Sequence, residues 1–384
     1  MTCRASAAAG LIACLAALAP FAALAQSSEV TLPDTVTVTA YGTESSSYAQ
    51  GVGISNMLSE RYNSSFRIIP GKNDVSRMLL LQTGRAEFCM CGISAYFAQE
   101  GIEFFAEQGS GPIPVRLLMA IEGSMHMGLG AAADAGIETP ADLKGKRVAY
   151  VQGGPANNRV VESTLAYGGL TWDDVERVEF PGFGAAVEGV INGQVDAAAM
   201  NTSAGVVERL NSSPRGLAWP QTPEDDAAAW EQLHRVAPYI TYRRVTDGIG
   251  VPEGGMDGNG LAFPFWVTLP ETDADLAYNL TKAMIEGVDG FVDAAPQAEG
   301  YALDRQRLLW QMPYHEGAIR FFKEMGMWGE EEEAHNQKLL ERQQVLNEAW
   351  DSMLTFEGSD EEFQQKWFEV RATALEAGGF DVVN

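Results

Sequence analysis

The chain has 384 residues, and 52 acidic against 26 basic side chains give it a formal charge of −26. Such an excess repels nucleic acid and anionic membrane surfaces, which excludes both as partners, and any anion held in a site must be held by local donors. The length exceeds what one core usually organises and predicts two lobes or domains.

In chain order, Arg4 precedes an apolar, alanine-rich run that ends in Ala23-Leu24-Ala25. This is the pattern of a secretory signal peptide over residues 1–25, removed after Ala25, so that an exported mature protein starting at Gln26 is expected. A lipoprotein box at Leu11-Ile12-Ala13-Cys14 is the alternative, but Cys14 interrupts the apolar run that cleavage at Ala25 uses whole. No later stretch approaches the roughly 20 apolar residues that span a bilayer.

The run "TVTVT" (35–39) alternates β-branched residues as a half-buried strand does. A serine-rich loop follows, then a helix over about 48–62, a second over about 75–82, and the apolar strand "FCMC" (88–91). Cys89 and Cys91 fall on one face of that strand, where so short a bridge strains disulfide geometry, so two buried thiols are expected. Metal binding is not expected, since four histidines supply no HxxxH and the cysteines no CxxC.

The same grammar returns a hundred residues later. "KRVAYV" (146–151) reads as a strand, "QGGPANN" (152–158) as a loop, 159–167 as a helix, and helical "AAVEGVIN" (185–192) leads to "AAAM". Strand alternating with helix predicts an α/β fold of two similar lobes with parallel sheets. Two crossings are expected, near 118–132 and 258–268. Lobe one then comprises 26–125 and a return part, 261–328, with lobe two at 126–260. Residues 329–384 form a helical C-terminal extension whose acidic start reads as a solvated amphipathic helix.

Each lobe places small polar residues where a strand hands over to a helix, the position at which open α/β sheets bind ligands and helix amides attract anions. Thr43, Ser45 and Ser46 in one loop, and Gly153, Gly154, Asn157 and Asn158 in the other, are therefore candidate ligand contacts. Glu44, Ser47, Tyr48, Ser94 and Asn201 complete the set. Competing explanations are simple: the serines can be helix caps and "GGPANN" a turn. There is no GxxxxGK[ST] or GxGxxG for nucleotides, and no cofactor is expected. The chain also lacks GxSxG, HExxH and SxxK, and Ser124 with His126 is too common a pairing to predict an enzyme.

From about Val36 to Trp328 the sequence resembles the TAXI solute receptors of tripartite ATP-independent periplasmic (TRAP) transporters. The resembling stretches are "YGTESSSYAQGVGISNML", "LLLQTGRAEFCMCGISAYFAQEG", "IETPADLKGKRVAYVQGGPANNRVVESTLAYGGLTWDDV", "GQVDAAAMNTSAG" and "MPYHEGAIRFFKEMG". The resemblance implies a two-lobed periplasmic binding protein of the type II, Venus-flytrap architecture. Such a receptor closes on a small carboxylate or amino acid and delivers it to a membrane permease without chemistry. By position, Thr43, Ser46 and Tyr48 fall on the family's first loop and Asn157 on its second. Ser47 stands where a second Tyr is usual, Glu44 replaces a glycine, and Gly92-Ile93 replaces a polar pair. Glu44 beside an anion site would complement an ammonium, which favours a zwitterion. A periplasmic hydrolase on a similar scaffold and a sensory binding protein for a membrane kinase are the alternatives.

Overall fold

In the computed structural model, which describes Thr2 and residues 29–383, the alternating run becomes strand β1 (Thr35–Tyr41). Apart from Thr2, the expected signal peptide lies outside the described residues. After β1 come α1 (Ser46–Tyr62), β2 (Ser65–Gly71), α2 (Asp74–Gln82), β3 (Phe88–Cys91), α3 (Ser94–Glu100) and β4 (Arg116–Ala120). The chain then enters a second sheet through β5 (Met127–Ala132), β6 (Arg147–Val151), α4 (Pro155–Tyr167), β7 (Glu176–Phe180), α5 (Phe183–Ile191) and β8 (Ala197–Asn201). Helix α6 (Gly205–Asn211), β9 (Leu217–Ala218), α7 (Ala227–Val236) and the hairpin β10 (Thr241–Val245)–β11 (Met256–Gly260) follow. The chain returns as β12 (Phe265–Thr268), then α8 (Ala274–Glu286), α9 (Glu316–Glu324), α10 (Glu330–Asp351) and α11 (Asp360–Ala377).

The strand orders are β2-β1-β3-β12-β4 and β7-β6-β8-β5-β9, the same plan twice. The sheets are mixed, not parallel throughout as the alternation predicts. In each, three strands joined by helices run parallel, while the strand arriving from the other lobe, β12 or β5, pairs antiparallel. A crossover helix enforces parallel pairing, whereas a strand entering from another lobe carries no such constraint. Two helices also begin earlier than their apolar periodicity suggests. Helix α1 starts at Ser46, and α4 starts at Pro155, whose fixed φ suits a first helical position, so Asn157 and Asn158 lie in the first turn and not in a loop.

The two crossings are bound to each other. His126, at the end of the first, accepts at Nδ1 the backbone N–H of Asn259 in β11 (2.9 Å), just before the second. Its own N–H donates to Thr202 Oγ1 at 3.1 Å, and the ring meets Trp219 edge-on. Burial, with Arg243 nearby, lowers the His126 pKa to about 4.

Cys89 and Cys91 are joined by a disulfide, which corrects the expectation of free thiols. Their Cα atoms lie 5.2 Å apart, within the span a disulfide bridges. The pair is fully buried in the lobe-one core between β1 and β12.

The C-terminal extension is docked, not merely solvated. Arg342 of α10 forks onto the Glu100 carboxylate (2.8 and 2.6 Å), and Arg371 of α11 reaches the same carboxylate at 2.6 Å and the Glu100 carbonyl at 2.8 Å. Trp367 donates to the Gly101 carbonyl, and Gln343 to Gln99. Burial pushes the Glu100 carboxyl up, but the two guanidiniums overcome it and hold the group below its ordinary value. The glutamates at 330–333 keep to the first turn of α10, where the helix dipole favours them.

Two outcomes follow. Glu100→Gln should destabilise the protein by about 3–5 kcal/mol in urea unfolding followed by tryptophan fluorescence, because it leaves two buried guanidiniums without a carboxylate. His126 is neutral in the fold and titrates near pH 6.5 when unfolded, so its contribution is complete above pH 6.5 and declines as pH falls towards 4. On the order of 3 kcal/mol is at stake. Stability measured across this window should fall less steeply in His126→Gln than in the parent.

Candidate functional site

Residues at or just after the carboxyl ends of β1, β3, β6 and β8 come together between the two lobes. Between them lies a cavity of about 40 Å³. Lobe one contributes Tyr41, Ser45, Ser46, Gly92 and Ile93 to its wall. Lobe two contributes Ala156, Asn157, Val160, Phe183 and Met200 among others, and Leu261 and Phe263 come from the second crossing.

The serines divide their roles. Ser45 is the N-cap of α1, its Oγ accepting the Tyr48 N–H at 3.2 Å and lying 3.2 Å from Ser47 Oγ. Ser46, only 1% exposed, has an Oγ with no hydrogen-bond partner in the protein. It sits at the first position of a 17-residue helix whose leading N–H groups cannot be satisfied within the helix. Ser94 Oγ is likewise buried and unpartnered, on the first residue of α3, but it is not part of the cavity wall.

Lobe two meets lobe one through the start of α2. Asp74, wholly buried, accepts the Ala156 N–H in the first turn of α4 at 2.9 Å, and holds Arg77 at 2.5 Å. Tyr41 also donates its hydroxyl to Asp74, and Asn157 Nδ2 donates to Tyr41 Oη at 3.1 Å. The Arg77 guanidinium stacks 3.5 Å from the Tyr41 ring centroid and donates to the Met90 carbonyl. Burial and the neighbouring Asp74 charge raise the Tyr41 pKa, so its hydroxyl remains a donor at any ordinary pH. Beside this cluster, Val75 N–H donates to the Gly153 carbonyl (3.2 Å) and Asn73 to the Gln152 carbonyl (3.0 Å). Arg159 of lobe two pairs with Glu103 of lobe one.

The structure brings Ser45, Ser46, Asn157 and Asn201 to one cavity. The remaining predicted residues lie elsewhere. Asn158 spends its amide on the Val151 backbone, accepting its N–H and donating to its carbonyl. Gly153 and Gly154 lie at the contact with α2 and on a second, outer cleft. Thr43 is exposed, Ser47 and Tyr48 are outside the cavity wall, and Glu44 reaches over Gly184 at the start of α5. Asn201 turns its carbonyl to Ser203. Sequence reasoning missed Tyr41, Asp74 and Arg77. The signal available was Asn73-Asp74, an N-cap pair opening a helix, but nothing local shows that its carboxylate faces another lobe.

Ser45→Ala should cost about 0.5–2 kcal/mol of stability through the lost cap. Ser46→Ala should cost nothing or stabilise slightly, since it removes a buried hydroxyl that has no partner. Paired urea titrations of the two variants check this, and equal losses would show that Ser46 is also bonded within the protein.

The architecture is two α/β lobes built on one strand plan, with C-terminal helices added. Similar solved structures include the alkanesulfonate-binding protein SsuA from Xanthomonas axonopodis pv. citri bound to MOPS, at 16% identity over 78% of this chain and 96% of that one, TM-score 0.39. The periplasmic aliphatic sulphonate binding protein SsuA from Escherichia coli matches at 16% identity over 76% and 88%, TM-score 0.39. Substrate binding domain 2 of GlnP from Lactococcus lactis, in an open conformation, matches at 9% identity over 71% and 98%, TM-score 0.38. The model of the NMT1-like family matches residues 38–326, from within β1 to just past α9, and the chain belongs to that family.

Proposed function

We propose that the protein is a periplasmic solute receptor of the TAXI type, which closes two lobes on a small carboxylate-bearing solute and delivers it to a TRAP permease. One observation carries this reading: the buried, unpartnered Ser46 hydroxyl lies at a helix N-terminus in the wall of a cavity that both lobes and a crossing enclose. Hydroxyl and helix amides together form an anion site that needs no cation. The two crossings at 121–126 and 261–264 join the sheets in the manner of a hinge.

A hydrolase would need a base beside its nucleophile. Ser46 Oγ has no such partner, and Ser124 and His126 bond elsewhere, to Glu299 and Gln297 and to Asn259. The reading therefore assigns binding and release, with no bond made or broken.

Small-angle scattering with calorimetry tests it. A carboxylate that binds with 1:1 stoichiometry should lower the radius of gyration, and Ser46→Ala should weaken binding at least about tenfold, as expected for a charged hydrogen bond of about 1.5–3 kcal/mol. Uptake of that solute in cells expressing the receptor with its membrane subunits should survive ATP depletion and stop when ion gradients are collapsed. The reverse dependence would assign the receptor to an ATP-driven permease.

A further inference from the structure

We propose that the cavity selects a short monocarboxylate with an apolar body and rejects dicarboxylates and amino acids. The inference rests on the receptor reading above and narrows its ligand.

The first observation is the wall. Among the described residues that line the cavity there is no Lys, Arg, His, Asp or Glu. Apart from Ser45, Ser46, Asn157, Asn201 and the Tyr41 ring, the wall is apolar, built largely by Ile93, Met127, Val160, Phe183, Met200 and Phe263. A ligand body of matching chemistry buries apolar area there, whereas a second charge loses its hydration with no opposite charge in the wall.

The second observation is how each lobe's helix N-terminus is used. In lobe one, α1 presents the Ser46 hydroxyl, which nothing in the protein satisfies. In lobe two, the corresponding N–H at the start of α4 is already taken, because Asp74 accepts from Ala156 with Arg77 and Tyr41 locked onto the same carboxylate. One end of the cavity therefore accepts a carboxylate. Asp74 lies outside the cavity wall, but by taking the Ala156 N–H it leaves a ligand's second carboxylate without that donor in lobe two.

An ammonium fares no better. The Asp74 oxygens are committed to Arg77, Tyr41 and Ala156, and Asn201 Oδ1 to Ser203. Glu44, the residue that suggested a zwitterion from sequence, is absent from the cavity wall and lies against the first turn of α5.

The test is calorimetry on the mature protein at pH 7 with isovalerate, succinate, glutamate and arginine. Isovalerate should bind at least tenfold more tightly than any of the other three. Val160→Lys, which puts a cation at the apolar end, should weaken isovalerate at least tenfold and admit succinate. Should that variant fail to fold, Phe183→Ala offers a second reading, because a deepened apolar end should move the preference from isovalerate towards octanoate. Tighter binding of succinate, glutamate or arginine than of isovalerate overturns the ligand class and leaves the receptor reading intact. Binding of none of the four overturns the ligand class, and an unchanged radius of gyration with the bound solute overturns the closing receptor.

Discussion

A single buried carboxylate, that of Asp74, ties the two lobes into one site. It belongs to lobe one, where Arg77 neutralises it, yet it accepts the Ala156 N–H in the first turn of a lobe-two helix. A charge can be wholly buried only if it is paired and its lone pairs are filled, and here partners from both lobes fill them. Contact between the lobes thus satisfies Asp74 and the start of α4 together, and parting them would expose both to water. The hydrogen bonds of Asn73 and Val75 to the 152–153 backbone follow from the same docking of α2. So does the bond from Asn157 to Tyr41.

The other side of the cavity shows the opposite treatment. Ser46 is as deeply buried as Asp74, but its hydroxyl is left without a protein partner. Buried polar atoms are normally satisfied, and Ser46 Oγ is an exception on a residue that lines the cavity. The two helix starts thus differ: the Ala156 N–H in the first turn of α4 is filled by Asp74, whereas at the start of α1 the Ser46 hydroxyl has no protein partner.

Elsewhere the same logic of buried charge organises the extension. Glu100 lies in the last turn of α3, and Arg342 and Arg371 converge on it from two helices that follow the region matched by the family. Around this triad Leu346, Met353, Phe363, Trp367 and Leu375 make a core of their own with Ala106. The crossings at the far side are held by His126, whose lone pair accepts the Asn259 N–H only while the ring nitrogen is unprotonated.

Local pattern alone determined the order of elements in this chain. The alternation in "TVTVT", the apolar "FCMC" and "KRVAYV" runs and the helical periodicities between them located three strands of the two sheets and showed that one plan occurs twice. The caps were half legible: a serine before a helix is recognisable, but which serine caps and which is left over depends on where the helix starts, and one residue separates Ser45 from Ser46. The tertiary structure alone decided the antiparallel strands, the disulfide, the docking of α10 and α11, and the members of the cavity. Each of these joins residues far apart in the chain or depends on a local bend, and no periodicity records such contacts. Asn158 and Glu44 looked like ligand contacts because of the loops they occupy, whereas their side-chain directions were set by Val151 and by the neighbouring lobe. Asp74 looked like any first-turn acid of a helix. Its role arises because burial in the contact with lobe two leaves its charge nowhere else to be satisfied.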